Sequence, residues 1–146
     1  MNILVQPNAA LSILLVEDDD GDARALQRAF KKAAVLFPIV RAVDGTEALD
    51  FLKGANGKEK VLPPYLLLVD LNMPKMNGID LIKALRADET LRRSIAFILT
   101  TSKRDEDKMA AYDLNVAGYI AKATAGEDFS NLFSLVDSYR RIVEMP

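Results

Sequence analysis

Four apolar runs in this 146-residue sequence each end in a side chain able to do chemistry. Ile13–Val16 runs into Glu17-Asp18-Asp19-Asp20, and Leu66–Val69 ends at Asp70, followed by Leu71-Asn72-Met73-Pro74. Ile95–Leu99 ends at Thr100-Thr101-Ser102, and the weaker run Val116–Ala121 ends at Lys122. Brought together, these ends supply several carboxylates, a hydroxyl and an ammonium. Carboxylates a few ångströms apart repel, and one of them is driven to hold a proton. A bound divalent cation removes that conflict. The chain has 0 His and 0 Cys, so the ligands are hard oxygen atoms. Such a set favours Mg²⁺, with Mn²⁺ as a substitute. The cation and Lys122 can hold an incoming phosphoryl group against Asp70, with the Thr100 hydroxyl bonded to one of its oxygens. Phosphoryl transfer depends mostly on positioning and charge neutralisation, and these groups supply both.

Taken singly, each residue has an ordinary explanation. Glu17–Asp20 fits a solvated or capping stretch, and Asp70 fits a turn aspartate before Pro74. Thr100 fits a satisfied strand-end hydroxyl, and Lys122 a surface lysine. Their joint occurrence at four run ends is what points to chemistry.

For the ends to converge, the runs must be neighbouring parallel strands. The first three are continuous rather than alternating, as in strands covered by helices on both faces. Ile39–Val43 carries Arg41 and suits an edge strand. Helical periodicity covers 23–35, with Ala23, Leu26, Phe30 and Ala34 on one side. Shorter helices are predicted over 46–52, after the turn Asp44-Gly45, and over 78–85. A further helix over 105–114 begins with acidic residues that suit its dipole. Thr124-Ala125-Gly126-Glu127 predicts a capping box, with Thr124 as N-cap, before a helix over 129–143. The alternation of strand and helix implies a doubly wound α/β sandwich with right-handed crossovers. Ligands in such sheets lie beyond the carboxyl ends of the strands, where strand order reverses. Gly54–Pro64 is polar and reads as a loop. Residues 1–11 read as a loose extension, leaving 12–146 as one domain.

Composition removes other functions. The chain is 50% hydrophobic and 27% charged with a net charge of -2, and no basic stripe favours nucleic acid. No apolar run approaches the roughly 18 residues that span a bilayer. The first eleven residues lack the basic flank and apolar core of a signal peptide, so a cytoplasmic location is expected. Without cysteine or histidine there is no thiol catalysis, no imidazole ligand and no phosphoryl donor histidine in the chain itself.

At this point the sequence resembles the receiver domains of two-component response regulators. The matching pieces are Leu15-Val16-Glu17-Asp18-Asp19, Asp70-Leu71-Asn72-Met73-Pro74 with Asn77-Gly78, Leu99-Thr100-Thr101-Ser102, and Gly118-Tyr119-Ile120-Ala121-Lys122. The intervals match too, with 30 residues from Asp70 to Thr100 and 22 from Thr100 to Lys122. The resemblance implies a flavodoxin-like (βα)5 sandwich whose parallel strands run in the order 2-1-3-4-5. It implies that Asp70 accepts the phosphoryl group and that Asp18 ligates Mg²⁺ directly. Glu17 then acts on the metal through water, and Asn72 offers its backbone carbonyl. Thr100 and Tyr119 match the switch pair, and Lys122 the phosphate-contacting lysine. Such a domain catalyses only its own phosphorylation and dephosphorylation.

Phe51–Pro64, Thr100–Lys103 and the ending Val143–Pro146 look like small single-domain regulators that partner phytochrome-type sensor histidine kinases. No output domain follows, so signalling is expected through protein contact or onward phosphotransfer. The last helix carries a wide apolar stripe of Phe129, Leu132, Phe133, Val136 and Val143, extended by Leu135, Tyr139 and Ile142. That width suggests a homodimer. One departure stands out, because the family usually has proline after the lysine, with a cis bond, and this chain has Ala123. A cis bond before a non-proline residue costs about 2.5–4 kcal/mol. A trans bond, a rearranged loop and a lysine aimed less squarely at the site are therefore expected.

Other assignments fit less well. A haloacid-dehalogenase-like phosphatase needs an aspartate where Asn72 stands, and a cap domain. A flavodoxin-type carrier needs a phosphate-cradling loop where Glu17–Asp20 would repel phosphate. A pseudo-receiver, a binding module that never takes phosphate, remains the alternative because of Ala123.

Overall fold

The computed structural model describes residues 11–32, 37–126 and 129–146. The elements run β1 (Ser12–Val16), α1 (Asp20–Lys32), β2 (Ile39–Ala42), α2 (Gly45–Lys53), β3 (Tyr65–Val69), α3 (Gly78–Ala87), β4 (Ile95–Thr100), α4 (Asp105–Asp113), β5 (Gly118–Ala121) and α5 (Ser130–Ile142). All paired strands are parallel, in the order β2-β1-β3-β4-β5. This is the flavodoxin-like doubly wound sandwich that the sequence implies, with β2 at one edge.

The continuous apolar runs follow from coverage on both faces. Successive strand side chains point to opposite sides. Leu14, Val16, Leu67, Val69 and Ile98 pack with Leu81, Ile82 and Leu85 of α3. Their neighbours Ile13, Leu15, Leu66, Leu68, Phe97 and Leu99 pack instead with α1 and α5. The central strands are therefore apolar from Ile13, Leu66 and Ile95 onward until they emerge at their carboxyl ends. There the side chains turn polar. The chain leaves β1 toward β2 on one side, while β3 lies on the other, so the crevice opens between the ends of β1 and β3. Among the described residues, no helix is long and apolar enough to cross a membrane.

Some boundaries differ from expectation. Helix α1 starts at Asp20, three residues before its apolar periodicity, because the Asp19 carboxylate accepts from the Asp22 N–H at 2.7 Å and caps the first turn. Residues 33–35, expected to continue this helix, lie outside the described residues. The capping box at Thr124 does not form. Lys122–Thr124 is instead a 3₁₀ turn, and the Thr124 hydroxyl donates back to the Ala121 carbonyl at 3.0 Å. Ala125 is drawn into the core, so the chain reaches α5 only after Phe129, in the left-handed region at φ 59°. Glu127, the other half of that box, lies outside the described residues. The Lys122–Ala123 bond is trans, as expected; the cis bond among the described residues joins Pro63 and Pro64.

The stripe on α5 is mostly a core face. Phe129, Leu132 and Val136 are buried, and Phe133 and Tyr139 pack against them. Phe133 meets Phe30 and Phe37 edge-on, with ring centroids 5.2 and 6.0 Å apart. Leu135, Ile142 and Val143 stay exposed.

Gly78 sets how closely α3 approaches the crevice. Its N–H donates to the Leu71 carbonyl at 3.0 Å, and a Cβ there would press on the backbone oxygen of Asp70 and lie 2.9 Å from the Leu71 Cα. Backbone cannot swing aside as a flexible side chain can. Gly78→Ala should therefore lower stability by about 1–3 kcal/mol. Urea unfolding should show the midpoint falling with the slope unchanged.

Candidate functional site

The loop after β1 is built almost wholly of acids, and they do not share one role. The Glu17 N–H donates to the Ala42 carbonyl and the Asp70 N–H to the Val16 carbonyl, both at 3.0 Å. These two bonds extend the sheet by one residue and set Glu17 beside Asp70. Glu17, Asp18 and Asp70 each present a carboxylate oxygen, all within 4.8 Å of one another. Glu17 is buried, Asp70 is 8% exposed, and Asp18 opens to solvent. An oxygen-only donor set at that spacing fits a hard divalent cation.

Lys122 enters from the end of β5. Its Nζ lies 2.7 Å from Glu17 Oε1, 2.7 Å from Asp22 Oδ2 and 3.5 Å from Asp70 Oδ2. Burial acts to push its pKa down, but the bonds to Asp22 and Glu17 and the charge of Asp70 prevail and raise it. The ammonium thus stays charged. Burial, reinforced by the Asp70 charge, raises the Glu17 carboxyl to about 7 despite the bond from Lys122. Burial and the neighbouring Asp70 charge are thus the source of the charge conflict inferred from the residue types. Lys122 also faces Asp70 more squarely than Ala123 suggested, because a trans bond and a 3₁₀ turn leave its side chain within reach of three carboxylates.

Thr100 and Tyr119 line the β4–β5 side, and Asn72 follows β3. Thr100 is fully buried, and its Oγ1 accepts from the Ser102 N–H at 3.2 Å. Tyr119 is half-buried, and its hydroxyl donates to the Ser102 carbonyl at 3.3 Å. Thr100 and Tyr119 are thus tied to one short loop. The Asn72 N–H points at Asp70 Oδ1 across 3.5 Å, at the limit of a hydrogen bond.

Two residues escaped the sequence reading. Asp22 pairs with Lys122, a contact across 100 residues that no local pattern announces. Its only local signal is its place in the first turn of a helix that begins at Asp20. Arg41 read as an edge-strand residue. Its Nε donates to the Glu17 carbonyl at 2.9 Å and its Nη1 to Asp20 Oδ1 at 2.7 Å. It thereby holds the acidic loop against β2.

The chain belongs to the response regulator receiver domain family, whose model matches residues 13–134. It is similar to response regulator Rcp1 of Synechocystis sp., 31% identical over 134 residues, covering 92% of this chain and 91% of Rcp1. Among solved structures, the phosphorylated cyanobacterial phytochrome response regulator RcpA superposes with a TM-score of 0.81 at 32% identity, covering 94% of this chain and 99% of RcpA. The Mn²⁺-bound form of Rcp1 also gives 0.81, at 31% identity, covering 92% of this chain and 98% of Rcp1. The chain is therefore a response-regulator receiver domain of two-component signalling, a signalling module rather than a conventional enzyme. Receiver domains bind divalent metal, and the acidic cluster here fits one.

Glu17 gives the metal-free protein a pH dependence. Its carboxyl ionises near the ordinary 4.5 when unfolded and about 7 when folded. Between these values the folded state holds the extra proton, so this group's stabilising contribution is full below the lower value and is lost as pH rises to the upper one. Urea unfolding without metal should show wild type losing stability relative to Glu17→Gln across that window. The difference should not exceed about 3 kcal/mol.

Proposed function

We propose that this domain accepts a phosphoryl group on Asp70 from a sensor histidine kinase in a Mg²⁺-dependent reaction. The observation that carries this is a nearly buried Asp70 carboxylate between an ammonium 3.5 Å away and two further carboxylates with oxygens within 4.8 Å. An Asp70 oxygen attacks phosphorus. The bond from phosphorus to the kinase's histidine nitrogen breaks, and that nitrogen keeps the electron pair. Glu17, Asp18, Asp70 and the Asn72 carbonyl are the groups that would hold Mg²⁺. When bound, the cation supplies positive charge to the phosphoryl oxygens. Lys122 neutralises the same charge from the other side. The Thr100 hydroxyl donates to a phosphoryl oxygen, and Tyr119, anchored to the same loop, follows that movement as the switch. Hydrolysis of the acyl phosphate by water restores Asp70.

The similar structures include cyanobacterial and bacterial phytochrome response regulators, which supports a phytochrome-type kinase as the partner. Output in the cytoplasm is through protein contact or onward phosphotransfer. A homodimer through α4, β5 and α5 is supported by the exposed Met109 and Tyr112 of α4 and Leu135 of α5. Light scattering at micromolar concentration should give twice the monomer mass, and a monomer with and without phosphorylation would count against it.

Incubation with Mg²⁺ and acetyl phosphate should raise the intact mass by one phosphoryl group. Asp70→Asn or a chelator should abolish the increase. Labelling that survives either change would remove Asp70 or the metal from the mechanism, and no labelling of wild type would leave a non-phosphorylated binding module. Thr100→Ala and Lys122→Ala should still bind Mg²⁺. Each should lose a hydrogen bond to a charged group, about 1.5–3 kcal/mol. Their phosphorylation-induced change at Tyr119, followed by NMR, should shrink. Loss of Mg²⁺ binding in Thr100→Ala or Lys122→Ala would show that these residues are misassigned.

A further inference from the structure

The five acids from Glu17 to Asp22 divide the work around one ammonium. Glu17 and Asp18 join Asp70 in the oxygen cluster. The Asp19 carboxylate is occupied as the cap of α1, and Asp20 is held by Arg41. Asp22 alone has its carboxylate on Lys122, at 2.7 Å, while lying outside the cluster. Its own N–H is fixed by Asp19, so the turn that presents it is set.

This division matters when a divalent cation enters. Lys122 is only 11% exposed and draws its neutralising charge from Glu17, Asp22 and Asp70. Two of those three are also the groups that would hold the metal. A cation bound to Glu17 and Asp70 takes the negative charge that offsets the ammonium and also repels it. An uncompensated buried charge is severely unfavourable. Asp19 and Asp20 are already engaged, which leaves Asp22 as the available counter-ion.

We propose that Asp22 is a positioning residue: it retains Lys122 beside the pocket when metal binds, allowing the cation and the ammonium to occupy one site. The proposal rests on the metal-binding part of the functional reading above. Lys122 bonds Glu17 and Asp22 equally closely, at 2.7 Å each, so when a cation takes up Glu17 and Asp70 the Asp22 carboxylate is the partner that still holds the ammonium. The ammonium also remains one short movement from the phosphoryl position. A first-turn aspartate also favours the helix dipole, but that effect does not depend on Lys122.

A double-mutant cycle separates the two roles. Titration calorimetry with MgCl₂ is run on wild type, Asp22→Asn, Lys122→Ala and the double variant. Asp22→Asn is nearly isosteric, and the Asp22 side chain is 39% exposed, so the fold should persist; thermal melting checks this, and Asp22→Ala provides a second cycle. With Lys122 present, loss of the Asp22 charge should weaken Mg²⁺ binding about tenfold, as expected for directly coupled neighbours. In the Lys122→Ala background the same change should weaken it less than about twofold. Equal weakening in both backgrounds would overturn the proposal, reducing Asp22 to general negative charge, and so would an absence of weakening with Lys122 present. A wild type that binds no Mg²⁺ would overturn the metal reading itself, and the proposal with it.

Discussion

Three carboxylates held within 4.8 Å of one another at the carboxyl ends of β1 and β3 are the constraint on which the rest of this molecule depends. Left alone, such a cluster opposes folding, since buried like charges repel and lose their hydration. Within the chain the strain is relieved in two ways. Glu17 keeps its proton to about pH 7, and Lys122 supplies a permanent positive charge. Both are substitutes for a cation. A pocket that must be neutralised, but whose neutralising groups can be exchanged, suits the metal binding and phosphoryl transfer proposed above.

The surrounding fold makes that cluster rigid at low cost. Hydrogen bonds between β1, β2 and β3 continue one residue past the apolar core, so Glu17 and Asp70 are set by the sheet and not by a loop. Arg41 and Asp19 fix the backbone that follows. The absence of a side chain at Gly78 lets α3 seat directly behind Asp70. On the opposite side, Thr100 and Tyr119 meet at Ser102, the contact on which the proposed switch rests.

The missing proline after Lys122 has a smaller consequence than its chemistry suggests. Lys122 is aimed by its carboxylate partners as well as by its own backbone. Two contacts at 2.7 Å supply strong orienting forces, and a 3₁₀ turn absorbs the change in the loop.

Much of this was determined by sequence alone, for a physical reason. A strand covered on both faces must be apolar throughout, so Ile13–Val16, Leu66–Val69 and Ile95–Leu99 declare themselves, and with them the positions of Glu17, Asp70 and Thr100. The family resemblance added strand order, which periodicity cannot supply. Tertiary structure decided the rest, because it depends on distance through space. Asp22 and Lys122 stand 100 residues apart, and Arg41 reaches the acidic loop from a neighbouring strand. Thr124 has the residue type of a helix cap, yet the burial of Ala125 overrides that local preference. The stripe on α5 is wide in sequence, but only packing shows which part is core and which remains exposed. Local patterns record what each residue needs, and the folded chain decides which neighbour meets that need.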